Sequence, residues 1–119
     1  MEAKLGFCNL RFKRISKDAA SDAPVLLFLH EALGSIGQWK NFPEKLCDRL
    51  QLSGIVYERQ GHGESSPLNE KRTSRYLHDY ALKELPAFLD AVGEKRPLLL
   101  VGHSDGGTIA LLFASAFPE

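Results

Sequence analysis

A chain of 119 residues has room for one domain and not for two, so any chemistry must come from a single core or from a piece of one. Lys plus Arg equals Asp plus Glu at 15 each, which excludes a broad basic face and with it nucleic acid as a partner. With 44% apolar and 25% charged residues, the composition is that of a packed globular domain and not of a disordered segment.

The first residues, Met1 to Gly6, lead into mixed polar sequence instead of an apolar signal core. No apolar run approaches the ~20 residues of a membrane span, so a cytoplasmic location without membrane contact is expected. Cys8 and Cys47 stand far apart with no CxxC spacing and are expected as free thiols. His62, His78 and His103 are not at ligand spacing from other Cys, His or acids, so no metal is predicted.

From Leu5 to Ile15 apolar and polar residues partly alternate, as in a half-buried edge strand or hairpin arm. A turn from Lys17 to Pro24 leads into Val25-Leu26-Leu27-Phe28-Leu29. That unbroken apolar run is the pattern of a strand buried on both faces of a parallel sheet. His30-Glu31-Ala32-Leu33-Gly34-Ser35 follows it. Gln38 to Leu50, with Trp39, Phe42, Leu46 and Leu50 near one face, predicts a helix. Gly54 to Tyr57 repeats the buried-strand grammar and runs into Glu58-Arg59-Gln60-Gly61-His62-Gly63-Glu64-Ser65. Glu64 to Ser74 reads as a mobile loop. Arg75 to Val92 has helical spacing, with Pro86 expected to bend it. Pro97 to Val101 is the third strand of the buried type, and strands alternating with helices imply right-handed βαβ units in an α/β fold.

The most informative segment runs from Leu98 to Ala110 and places Gly102, Ser104 and Gly106 as Gly-x-Ser-x-Gly between a strand and an apolar helix. A serine that attacks a carbonyl must project its hydroxyl away from the backbone. A tight strand-to-helix turn does this by straining the residue, and side chains two positions either way would collide. The turn also aims a helix N-terminus at the serine, so the amide of Asp105 is available to stabilise an oxyanion. A phosphate loop is the competing reading of such a turn, but no GxxxxGK[ST] occurs.

On these landmarks the chain resembles the α/β-hydrolase family, in which the first long strand ends in a His-Gly loop that supplies a second oxyanion donor. The resemblance implies the amide of Ala32 as that donor, Ser104 as nucleophile and no cofactor. It departs from the family pattern at Glu31, where glycine is usual, which places a carboxylate near the oxyanion site. His30 is read as a structural histidine. Glu58-Arg59-Gln60-Gly61-His62-Gly63-Glu64-Ser65 resembles the family's Asp-x-x-Gly-x-Gly-x-Ser turn, with Glu58 as a brace. Trp39 is expected in the core rather than in a pocket wall.

The family places the acid and then the histidine base of the triad far beyond the serine. Here fifteen residues follow Ser104 and none is histidine. The expectation is a single, partial three-layer α/β-hydrolase domain over 1–119, inactive or nearly so alone. Its parent is expected to cleave a small-molecule ester or related acyl bond. The resemblance implies later strands beyond Leu98 to Val101, so an uncovered sheet edge and self-association are expected. The alternatives are a non-catalytic binding module of the same fold and, more remotely, a nucleotide-binding domain.

Overall fold

The apolar run at Val25–Leu29 forms strand β3 at the heart of a five-stranded sheet, every residue of it buried. The computed structural model describes residues 1–18, 22–68 and 71–118. Around β3 the sheet order is β1-β2-β4-β3-β5, with β1 Glu2–Lys4, β2 Asn9–Ile15, β4 Gly54–Tyr57 and β5 Leu98–Gly102. Parallel pairing joins β3 to β4 and to β5, whereas β2 is antiparallel to both β1 and β4.

Side chains of β3 alternate between two cores. Val25, Leu27 and Leu29 pack with Ile55 and Tyr57 of β4 under helices α3 (Leu85–Val92) and α4 (Asp105–Ala116). Leu26 and Phe28 pack with Val56 and Cys47 under α1 (Phe42–Leu50) on the other face. The three layers follow from chain order: α1 carries the chain from β3 to β4, and the helices at 76–92 carry it back over β3 to β5. Two right-handed crossovers running in opposite directions require helices on opposite faces. They also leave a crevice at the carboxyl ends of β3 and β5, where ligands bind in open α/β sheets. Cys8 and Cys47 are buried free thiols in different cores. Burial raises both thiols, Cys8 to about 11.

Several expectations are corrected by tertiary context. Of the two readings of Leu5 to Ile15 the hairpin arm holds and the edge strand does not: β2 pairs with β1 across a turn at residues 5–8, where Leu5 N–H donates to the Cys8 carbonyl at 2.9 Å. It is β1, and not β2, that lies at the edge. The helix expected over Gln38 to Leu50 is interrupted at Lys40, whose φ is 54°, and restarts at Phe42. Pro43 sits in the first turn of α1, where a missing N–H costs nothing. The helix over Arg75 to Val92 is α2 (Tyr76–Asp79), a wide π turn at Tyr80–Glu84, and α3. Leu85 N–H reaches back five residues to Tyr80, and the widened turn admits Pro86.

Exposure follows the sheet edge. β5 has a neighbour on one side only, the uncovered edge expected there, so it is half buried with Leu99 44% exposed despite its apolar pattern. The start of the Glu64 to Ser74 loop is pinned, since Ser65 Oγ accepts from Arg11 N–H at 2.8 Å and Ser66 Oγ from Asn9 N–H at 2.9 Å. Residues 69–70 of that loop, and residues 19–21 of the turn from Lys17 to Pro24, lie outside the described residues. Among the described residues no helix is long and apolar enough to cross a membrane, and no cluster of three metal-binding side chains occurs.

Candidate active site

β5 ends at Gly102, α4 begins at Asp105, and between them Ser104 takes φ 57° and ψ −117°. For a residue with a Cβ this is a sparsely populated region costing of order 1–3 kcal/mol. Surrounding contacts hold it there. His103 N–H donates to the Leu29 carbonyl at 3.1 Å, which ties the turn to the end of β3, and the amides of Gly107 and Thr108 donate to the Ser104 carbonyl. A Cβ at Gly106 would overlap the Leu29 carbonyl, and one at Gly102 would overlap Gly106. The glycines are therefore there for close approach of β3, β5 and α4. The Ser104 residue is exposed and its hydroxyl makes no capping bond.

Asp105 opens α4, and its amide donates to no carbonyl among the described residues. Its carboxylate accepts from the Tyr76 hydroxyl at 3.1 Å, a bond that raises the tyrosine above its ordinary pKa. The amide of Ala32, in the loop after β3, likewise donates to no carbonyl among the described residues. The Ala32 carbonyl accepts from Nε2 of His62 at 2.7 Å.

His30 is sealed under this loop. Its Nε2 accepts from the Arg59 amide at 3.1 Å, so the proton is on Nδ1, which donates to the Glu31 carbonyl at 2.7 Å. Burial and the Arg59 charge push the ring down to about 3, so it is neutral and structural at physiological pH. The Glu31 side chain turns toward His103, with Oε2 3.9 Å from Nδ1. A cavity of about 80 Å³ opens between Glu31, Gln38, Trp39 and His103. Trp39 is half-buried, stacked on Phe42 and edge-on to Phe28, so it belongs to the core and lines this cavity as well.

Glu58, read as a brace, is buried. Its two oxygens accept from Ile36 N–H at 2.9 Å and from Glu64 N–H at 2.7 Å, tying the loop after β3 to the turn after β4. Gly63 has φ 51° and lies against this carboxylate, where a Cβ would overlap it.

Sequence reasoning did not single out the polar cluster below the site. Arg59 is fully buried with its guanidinium 5.3 Å from the Tyr80 ring, and Glu84 is buried with Oε2 accepting from Gln60 N–H at 3.2 Å. Burial pushes the Glu84 carboxyl up to about 7. A raised carboxyl favours the folded state below its ordinary value near 4.5, and that contribution is lost as pH rises through 7. His30 and His62, both lowered, act with the opposite sign on the acid side of 6.5. Glu84→Gln keeps an acceptor for Gln60 and does not titrate. Thermal unfolding should show it gaining about 1–2 kcal/mol over the parent between pH 6 and 8. An unchanged difference across that range would contradict a buried, titrating Glu84.

Comparison with known proteins agrees with this fold. Residues 24–119 match the family described as alpha/beta hydrolase fold. Protein phosphatase methylesterase 1 of Bos taurus is 32% identical over 100 residues, covering 82% of this chain and 26% of that protein. The Homo sapiens protein of the same name is 31% identical over 100 residues, covering 82% and 25%. The chain thus spans about a quarter of the length of these relatives. Among solved structures, proline iminopeptidase from Mycobacterium smegmatis has a TM-score of 0.82 at 22% identity, covering 99% of this chain and 40% of that one. Alpha/beta hydrolase domain-containing protein 10 from mouse has a TM-score of 0.74 at 28% identity, covering 94% and 42%. With these matches, the sheet order and the Gly102 to Gly106 turn, the chain belongs to the α/β-hydrolase fold family.

Proposed function

We propose that this chain carries the nucleophile half of a serine hydrolase acting on an ester or related acyl bond. Ser104 attacks the carbonyl carbon, and the oxygen that becomes negative is received by the amides of Ala32 and Asp105. The observation that carries this reading is the backbone of Ser104, held at φ 57° with its hydroxyl outside the α4 cap. Strained residues cluster at functional sites, and although Lys40 shares this backbone region, at Ser104 the strained residue is a serine set between the end of a parallel strand and a helix N-terminus. The relatives named as methylesterases support an ester as the substrate.

Among the described residues none hydrogen-bonds to the Ser104 hydroxyl as a general base. His30 has both ring nitrogens engaged, His62 is committed to the Ala32 carbonyl, His103 faces Glu31 and Trp39, and His78 of α2 makes no side-chain hydrogen bond among these residues. Without a base a serine hydroxyl remains a weak nucleophile. Serine proteases stripped of a triad member still keep about 10³–10⁴-fold catalysis over water from the oxyanion hole and substrate binding together.

The expected behaviour with p-nitrophenyl acetate is slow acetylation of Ser104 by one equivalent, without turnover. Ser104→Ala should abolish the acetylated species in intact-mass spectra. Equal acetylation of the two proteins would remove the nucleophile assignment and leave a non-catalytic module of the same fold.

A further inference from the structure

The loop after β3 has no regular structure and carries Leu33 at 90% exposure, yet its peptide groups are held from below. Three donors converge on the Glu31 carbonyl oxygen: Nδ1 of His30 at 2.7 Å, Nη2 of Arg59 at 3.0 Å and the Gly34 amide at 3.0 Å. A carbonyl oxygen has two lone pairs, so this one is fully occupied. The Glu31 carbonyl and the Ala32 N–H belong to one planar trans peptide, in which they point in opposite directions. Anchoring the oxygen therefore aims the N–H. The next peptide is held by His62 on the Ala32 carbonyl, so rotation is blocked on both sides.

Arg59 is an expensive way to hold a carbonyl. It is buried, no carboxylate lies within ion-pair distance of it among the described residues, and its Nε and Nη1 have no partner there. Burying a cation with no carboxylate partner costs several kcal/mol that the Tyr80 ring beneath it offsets only in part, and an apolar side chain of similar volume would cost less. What the cation supplies is positive potential directly behind the amide, which polarises the peptide and strengthens its N–H as a donor. The Arg59 amide also fixes the His30 tautomer that donates to the same oxygen.

We propose that Arg59, together with His30, is a positioning residue that aims and polarises the Ala32 amide toward the oxyanion formed at Ser104. The assignment rests on the reading of Ser104 as nucleophile and Ala32 as donor.

Phosphonylation of Ser104 by a fluorophosphonate tests it, because the adduct places an oxygen where the oxyanion would lie. The inactivation rate at saturation and the reagent's half-saturating concentration are measured for the parent chain, Arg59→Met and Arg59→Lys. Amide spectra of the ¹⁵N-labelled proteins are recorded alongside. Arg59→Met should slow the saturated rate about tenfold or more, a loss in the direction of removing an oxyanion donor. The half-saturating concentration should stay unchanged and the Ala32 resonance should move. Arg59→Lys should recover part of the rate.

A parent-like rate in Arg59→Met with an unmoved Ala32 resonance would overturn the proposal. If Arg59→Met does not fold, the parent adduct decides. The Ala32 amide and the Arg59 guanidinium protons should shift together, and a shift of Ala32 alone would overturn the coupling. Failure to phosphonylate Ser104 in the parent, or an adduct felt by Asp105 but not Ala32, would instead refute the underlying site reading.

Discussion

Gly106→Ala is expected to destabilise the chain by about 3 kcal/mol or more, the upper end of what overpacking costs. The added carbon would overlap the Leu29 carbonyl and meet that of His30 at 2.8 Å, both backbone atoms that cannot move without breaking the pairing of β3 with β5. Gly107→Ala is the internal control. Its nearest neighbour would be the Gly102 carbonyl at 3.7 Å, an ordinary contact, and alanine favours a helix over glycine by up to about 1 kcal/mol. Urea unfolding should therefore move in opposite directions for adjacent glycines. Equal effects would mean that α4 does not approach β3 as described.

Glu58→Ala should cost about 3 kcal/mol, measured the same way. The carboxylate is the acceptor for two backbone amides from different loops, and each orphaned buried donor costs about 1–3 kcal/mol. Glu58→Gln should recover part of this, because one oxygen remains while an NH₂ group now faces a backbone N–H. A loss below 1 kcal/mol for alanine would show that the loops at 36 and 64 are held by something else.

How much was legible in the sequence divides along a physical line. Val25–Leu29 and Gly54–Tyr57 were readable because a strand buried on both faces admits only apolar residues, and their runs are unbroken. The turn at Ser104 was readable because close approach leaves glycine as the only choice at 102 and 106. The position of β2 inside the sheet was not readable. Its alternating pattern is the same whether β1 covers it or water does.

The break at Lys40 and the π turn at Tyr80–Glu84 are local adjustments to packing, and periodicity averages over them. The Pro97 to Val101 run reads as fully buried from its pattern alone, and it was the uncovered edge implied by the resemblance that matched β5, which has a neighbour on one side only. Least legible was Arg59. A charged residue after a strand reads as solvated, and only the fold shows its guanidinium under the Glu31 carbonyl. Glu31 itself departs from the family's glycine, and the structure accommodates it by turning the carboxylate toward His103 while using its carbonyl as an anchor.

As the nucleophile proposed above, Ser104 would be set apart in reactivity from every other serine in the chain by the strain at its turn. Site-resolved mass spectrometry after prolonged exposure to a fluorophosphonate measures this directly. A single adduct is expected, on Ser104, forming slowly because no base among the described residues assists it and faster as pH rises. Adducts spread over exposed and partly buried serines such as Ser35, Ser53 and Ser74, with Ser104 no more reactive than they are, would contradict it.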